Sequence, residues 1–145
     1  MDQTVTELLA AVPLAPLGPG KPMEEMRAKL AALNAPPVLR TGLWLAFNFL
    51  DESHTISQEL DTPEGSYWHA IMHRREGDFW NSKYWLRRVG DHPAMASLGW
   101  RLSDALTFVD RCERVQGKGE AEEQACRESQ HKEWQALFAW CARQH

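Results

Sequence analysis

The sequence predicts an all-α fold: a single helical domain over residues 1–145, built as an irregular or up-and-down bundle of five to six helices. This prediction rests on two observations. Apolar residues recur at helical spacing through most of the chain, whereas no stretch alternates for long enough to indicate a strand. Proline, glycine and capping residues fall between these stretches and separate them into helices.

The N-terminal part of the chain combines helical segments with a proline-rich arm. Residues 2–12 are compatible with a short helix that Pro13 ends. Residues 13–22 hold four prolines and two glycines, so we expect an irregular arm that wraps either its own domain or a neighbouring chain. Helical spacing resumes over residues 23–33.

One long helix is predicted over residues 38–60. Its apolar face continues, with the same period, onto His54 and Gln58. Polar side chains that extend a buried face are the first indication of a site. The apolar members of the face are Leu39, Leu43, Phe47 and Leu50.

Capping residues mark the helices that follow. A threonine and an aspartate with N-cap character precede helices predicted over 63–76 and 79–89, and a glycine follows each. A further helix is predicted over 91–116 and the last one from about residue 120.

The composition is that of a globular protein. Hydrophobic residues make up 43% and charged residues 25% of the chain, and a net charge of -4 gives no electrostatic footprint for nucleic acid. The longest apolar run, over 43–50, is too short to cross a bilayer, and the acidic N-terminus lacks the basic region of a signal peptide. We therefore expect neither membrane association nor nucleic-acid binding, and the sequence leaves the oligomeric state open.

The cysteines indicate a reducing compartment. Cys112, Cys126 and Cys141 are widely spaced, odd in number and placed on apolar helical positions. A reduced cysteine at such a position behaves as a small hydrophobic residue. A cytoplasmic location is therefore expected.

The candidate site centres on the helix over 63–76. His69 and His73 lie four residues apart and Glu76 three residues further, so all three share one helix face. Two imidazoles at this spacing can bind one metal ion, and His54 would join them because the short connection makes its helix a neighbour. Zinc, manganese, iron or nickel would suit these ligands, and the sequence does not choose among them. The alternative is that the histidines hydrogen-bond the backbone or one another.

Acid–base chemistry without a metal is a second interpretation of the same stretch. Asp51 lies one turn before His54, where it could set the tautomer of the ring. Lys83 or Tyr84 could then donate a hydrogen bond to a developing oxyanion. No serine or cysteine stands in the context of an activated nucleophile. His92 precedes a proline in a turn, and we expect it to pack at the N-terminus of a helix.

Residues 68–88 form a locally basic stretch with interleaved aromatic residues. Arginine binds carboxylate and phosphate groups, and aromatic faces stack on rings, so we interpret the stretch as a rim that orients an anionic small molecule. The alternative is that the arginines pair with acidic residues of other helices and the tryptophans are core residues. The candidate ligand-binding residues are Gln58, Trp68, Arg74, Lys83, Tyr84 and Arg87.

Two functions follow from these patterns. The leading hypothesis is a small-molecule-binding protein or enzyme, which requires the histidines to converge on one pocket. The competing hypothesis is a non-catalytic interaction module, which requires several tryptophans of residues 68–85 to be exposed as one patch. The catalytic candidates are His54, His69, His73 and Glu76, and the three histidines are also the candidate ligands of a divalent metal ion.

The middle third of the chain resembles a family of bacterial and fungal proteins of uncharacterised activity. The shared words are FLDESHTISQ at 49–58, GSYWHAIMHRRE at 65–76, NSKYW at 81–85 and RRVG at 87–90. In that family a His-Asp pair stands where this chain has Phe47 and Asn48, so the resemblance implies that one potential ligand is missing here. The residues of the shared site that it implies are His54, Gln58, His69, His73, Arg74, Glu76, Asp78, Asn81, Lys83, Tyr84 and Trp85.

Overall fold

A computed structural model describes residues 2–145, and all regular structure in this range is helical. The all-α prediction is confirmed, whereas five to six helices are too few, because nine α-helices and one 3-10 turn, Glu24–Met26, lie in these residues. Helices α1 to α5 are Gln3–Ala11, Arg27–Ala32, Pro37–Ala46, Leu50–Ser57 and Pro63–Glu76. Helices α6 to α9 are Phe79–Val89, Pro93–Ala96, Leu102–Val115 and Ala121–Arg143.

The helix predicted over 38–60 is divided into α3 and α4. Asn48 lies at the break with φ of 72°, a left-handed conformation that asparagine tolerates better than most residues. Its side chain is held on both sides: Nδ2 donates to the carbonyl of Lys21 at 2.9 Å, and Oδ1 accepts from Arg75 at 2.6 Å. Apolar residues flank the break on both sides, so hydrophobic spacing alone did not reveal it.

Two of the predicted helix starts are confirmed, whereas one further predicted helix is divided. Thr62 and Asp78 cap α5 and α6 through side-chain oxygens, as predicted. The helix predicted over 91–116 is instead divided into α7 and α8, with Gly99 at φ 74° in the turn between them. Glycine adopts this backbone conformation without steric cost, so it ends one helix and redirects the chain.

Close packing of α3, α5 and α9 forms the centre of the core. Trp68 of α5 is fully buried and lies over Gly42 of α3, where an added Cβ would come within 2.6 Å of the indole ring. Trp134 of α9 donates its Nε1 hydrogen to the carbonyl of Gly42 at 2.8 Å. Trp68 was predicted to bind a ligand, and it belongs to the core instead.

A buried ion pair also connects α5 to α9. Arg74 donates to the carboxylate of Glu133 at 2.8 Å, and both side chains are only 1% exposed. Gln130 accepts from Arg74 at 3.1 Å, and Tyr67 donates to the other oxygen of Glu133 at 2.9 Å. Burial of charge is tolerated here because each charged group has a partner. Arg74, predicted on the ligand rim, therefore holds two helices together.

The proline-rich arm at 13–22 lies against its own chain. Arg75 donates to two arm carbonyls at 2.9 and 3.2 Å. Arg127 and Gln130 of α9 donate to three more at 2.8 to 3.2 Å. These side chains satisfy backbone oxygens that the prolines leave without helical or strand partners. In the described residues the arm therefore packs against its own domain.

Two further expectations bear on location. Among residues 2–145, no helix combines the length and hydrophobicity needed to cross a membrane. The three cysteines are free and buried, as the helical spacing predicted. Burial raises the pKa of both Cys112 and Cys141 to about 12, so these thiols stay protonated at neutral pH.

Candidate metal centre

Three histidines from two neighbouring helices meet at one point. Helix α5 presents His69 and His73 one turn apart, and α4 presents His54 opposite them. The ring centroid of His54 lies 4.7 Å from that of His69 and 5.5 Å from that of His73. The rings of His69 and His73 stack with their centroids 4.6 Å apart. One ring nitrogen of each residue lies within 4.8 Å of the others. We call these three residues the histidine cluster.

The distance within the cluster is close to that of two ligands on one ion. Nε2 of His54 and Nε2 of His69 lie 3.2 Å apart. Two nitrogens bound to one tetrahedral zinc ion at about 2.0–2.1 Å lie about 3.3 Å apart. Without an ion, the two nitrogens share one proton in a hydrogen bond, and the side that accepts must be deprotonated.

Glu76 fixes the third ring of the cluster. Its Oε1 lies 2.6 Å from Nδ1 of His73, one turn earlier on α5. A carboxylate that accepts from Nδ1 leaves Nε2 of the ring with a free lone pair, which is the tautomer that binds a metal. Asp78 also lies within 4.8 Å of His73 and Glu76, but its oxygens accept from the backbone and side chain of Asn81.

The environment of His69 keeps that ring neutral. Burial, and then the charges of His73 and His54, lower the pKa of His69 to about 4. The indole of Trp85 stacks on the imidazole of His69, with ring centroids 4.1 Å apart and planes 17° from parallel. A neutral imidazole held in one orientation can donate its lone pair at physiological pH.

Two predicted members of the site form no side-chain hydrogen bond with the histidine cluster. The side chain of Asp51 is exposed and has no hydrogen-bond partner within residues 2–145, so the predicted Asp51–His54 pair is not formed. Gln58 is exposed and forms the C-cap of α4.

The predicted basic rim is only partly at the surface. Lys83 pairs with Asp110 of α8 at 2.8 Å. Tyr84 and Arg87 are exposed, with Tyr84 41% exposed. Trp80, one turn before Tyr84 on α6, is 71% exposed, and the two rings are nearly parallel with centroids 6.0 Å apart. The outer face of α6 is therefore the part of the rim that could meet a ligand.

His92 has the structural role that its sequence context predicted. Its Nδ1 accepts from the backbone of Ala94 at 3.0 Å and so caps α7. Its Nε2 donates to Glu64 of α5 at 2.6 Å. Both ring nitrogens are used in this way, which leaves none for a metal.

Sequence reasoning missed the partners of two buried arginines. Glu133 and Gln130 hold Arg74 from α9, and Asn48 accepts from Arg75. The sequence did contain an indication that Gln130 and Glu133 are buried, because both fall on the same helical stripe as buried Trp134 and Leu137. A charged residue on an apolar stripe indicates a buried partner.

The cavities lie elsewhere in the molecule. Among the cavities of the described residues are five of about 20 to 410 Å³, and none of these is lined by a histidine of the cluster. The spacing of the ring nitrogens in the cluster suits an ion, and Glu76, which contacts His73, has a side chain that is 40% exposed.

No family model, curated protein or solved structure matched the chain. The family resemblance seen in the sequence stays a prediction.

Proposed function

We propose that this protein binds one divalent transition-metal ion through His54, His69 and His73 and acts on, or binds, a small molecule at that ion. The observation on which this rests is the meeting of three ring nitrogens within 4.8 Å. Three protein ligands leave a coordination position open, which is the pattern of catalytic zinc sites rather than structural ones. The open position favours an enzyme over a passive metal store.

The alternative is that the histidines only pack against one another. One hydrogen bond between His54 and His69 would then satisfy a single pair of ring nitrogens. An ion satisfies the lone pairs of all three rings at once. The bond from Glu76 to His73 and the stacking of Trp85 on His69 support the ion, because each fixes a ring in an orientation suited to a shared ligand.

The chemistry that fits three neutral imidazoles and an open position is hydrolysis or hydration. A bound zinc ion would lower the pKa of a coordinated water to about 7 and supply hydroxide at neutral pH. In this chain Glu76 would hold His73 as a ligand and raise the basicity of its ring. Tyr84 contacts Trp85, which stacks on His69, and Tyr84 and Arg87 are exposed on α6 with side chains available to orient an anionic substrate.

We place this activity in the cytoplasm. The three cysteines are free and buried, which supports a reducing compartment. The proposed ligands are nitrogen atoms only, so thiol oxidation would leave the centre intact.

Metal analysis of the untagged protein tests the proposal. We expect close to one equivalent of metal per chain after purification without added metal, and a lower melting temperature after treatment with a chelator. An ion present at 100 times its dissociation constant stabilises the folded state by about 2.7 kcal/mol. Re-addition of the ion should restore the melting temperature.

The matched controls are histidine variants of similar burial. His54→Ala should lose the metal and the response to chelator, whereas His131→Ala, a half-buried histidine outside the cluster, should keep both. A protein that takes up no metal, or an equal loss in the two variants, would rule out the proposed centre.

A second candidate is an interaction module, although of the tryptophans that it requires at the surface only Trp80 is exposed, whereas Trp68 is buried and Trp85 half-buried. Trp80, Tyr84 and Arg87 lie on one exposed face of α6 at helical spacing, and tryptophan, tyrosine and arginine dominate interface hot spots. Trp68 is excluded from such a patch by its burial. Sedimentation of wild type and of Trp80→Ala over a range of concentrations tests for self-association through this face. Loss of a dimer in the variant supports self-association, and a monomer in both rules out self-association through this face.

A further inference from the structure

A second candidate site lies between the proline-rich arm and α9. None of the three histidines of the cluster lines it. Two adjoining cavities occur there and share Val12, His131 and Trp134 in their walls. The inner one has a volume of about 20 Å³ and reaches Arg75 and Gln130. The outer one has a volume of about 320 Å³. We call the two cavities together the cleft, and Arg75 is in the wall of its inner part.

The charge of that guanidinium is not neutralised by any acid. Arg75 is 2% exposed, and within residues 2–145 it forms no ion pair. Its partners are the carbonyls of Gly18, Pro19 and Leu45 and the amide oxygen of Asn48. Burial, and then the charge of Arg74, lower the pKa of Arg75 to about 9. A buried cation with only neutral partners is costly to the folded protein.

One donor of Arg75 remains unused. A guanidinium has five N–H groups, and Arg75 makes four hydrogen bonds. Nη1 makes only one of them, to the carbonyl of Leu45 at 3.2 Å, and so keeps an N–H without a partner. Arg75 is one of the residues that line the inner cavity, so the wall of that cavity includes a residue with a positive charge and one free N–H donor.

The remaining walls of the cleft are mostly apolar. Leu45 and Ile71 line the inner part, and Leu9, Phe138 and Ala142 line the outer part. The cleft follows α9 from Gln130 to Ala142, a span of about 18 Å at 1.5 Å per residue. Such a channel fits a long, narrow and flexible apolar group.

We propose that this cleft binds an aliphatic monocarboxylate, with its carboxylate at Arg75 and its hydrocarbon chain along α9. The carboxylate would neutralise the buried charge through a charge-assisted hydrogen bond. The hydrocarbon would bury apolar surface in the outer cavity at about 25 cal/mol per Å². This site is independent of the proposed metal centre, so either one can fail without the other.

Binding of octanoate to the intact chain tests the charge requirement. Isothermal titration should show octanoate binding at least tenfold more tightly than octan-1-ol, which has the same chain without the charge. Octylamine, protonated at neutral pH, should not bind. Equal affinity for the acid and the alcohol, or no binding of octanoate, would overturn the proposal.

Two variants separate binding from folding. Arg75→Gln should lose the preference for octanoate, but it also removes bonds to the arm and can unfold the chain. Ala139→Trp leaves Arg75 untouched and fills the outer cavity from an exposed position of α9. We expect it to abolish octanoate binding while circular dichroism stays that of wild type.

The matched control is Ala121→Trp, which adds the same side chain to an exposed position of α9 that does not line the cleft. It should bind octanoate as wild type does. If Ala139→Trp binds octanoate as well as Ala121→Trp does, the ligand does not occupy this cleft.

Discussion

Nε2 of His54 and Nε2 of His69 lie 3.2 Å apart although the two residues belong to different helices. Neither nitrogen is directed to a carboxylate or to the backbone. A shared ion, or a single shared proton, is what such an arrangement can hold. The proposed function depends on which of the two is present.

Removal of the Glu76 carboxylate should weaken metal binding without loss of fold. Glu76→Gln keeps the size of the side chain but replaces the charged acceptor that fixes His73. Outer-sphere changes of this kind cost about 10- to 100-fold in metal affinity. Competition with a chromogenic chelator measures this loss. Glu59→Gln, which changes an exposed carboxylate on the connection after α4, should bind as wild type does, and an equal affinity in both variants would contradict the role given to Glu76.

The metal-free protein should lose stability in acid because of His69. Folding lowers the pKa of this ring to about 4 from an ordinary value of 6.5, so the unfolded chain takes up a proton that the folded chain does not. The neutral His69 ring therefore contributes to the free energy of unfolding above pH 6.5, and this contribution is lost as the pH falls towards 4. Its size is on the order of 2 kcal/mol.

Urea unfolding of chelator-treated protein at several pH values checks this expectation. Wild type should show a free energy of unfolding that falls between pH 6.5 and 4.5 more steeply than that of His69→Gln, which cannot take up the proton. His145→Gln, at the exposed C-terminus, should keep the wild-type slope. Equal slopes for wild type and His69→Gln would show that His69 is not buried as a neutral ring.

Loss of Glu133 should destabilise the fold strongly. Glu133→Ala leaves the guanidinium of Arg74 buried without a counter-charge, which costs about 3–5 kcal/mol. The double variant Arg74→Met with Glu133→Leu removes both charges and should recover most of that stability. Chemical denaturation of the three proteins measures the difference. A double variant no more stable than Glu133→Ala would contradict the structural role of the pair.

The contact between Gly42 and Trp68 should tolerate no added methyl group. Gly42→Ala would place a Cβ 2.6 Å from Cζ2 of Trp68 and should cost about 1–3 kcal/mol by overpacking. In a Trp68→Phe background the ring is smaller, so the same alanine should cost less. Thermal unfolding of the four proteins gives the coupling between the two sites. Additive effects would show that the helices are less closely packed here.

The sequence predicted the part of the site that depends on local geometry. His69 and His73 share a face because they lie four residues apart, and His54 reaches them because its helix is the preceding neighbour. The caps at Thr62 and Asp78 were also predictable, since they depend on residues two or three positions away.

Features that depend on distant residues were not predictable from spacing. The break at Asn48 depends on bonds to Lys21 and Arg75, each 27 residues away in the chain. Arg74 looked like a surface ligand because its partner, Glu133, lies 59 residues further on. A basic residue in a helix has the same local pattern whether it faces solvent or a buried acid.

A structure of crystals grown with Zn²⁺ tests the central claim most directly. Anomalous scattering at the zinc edge should show one strong site within about 2.0–2.1 Å of a ring nitrogen of each of His54, His69 and His73. The distance between the Nε2 atoms of His54 and His69 should then be about 3.3 Å, close to its value without the ion. An empty cluster, with zinc only at surface side chains, would contradict the account.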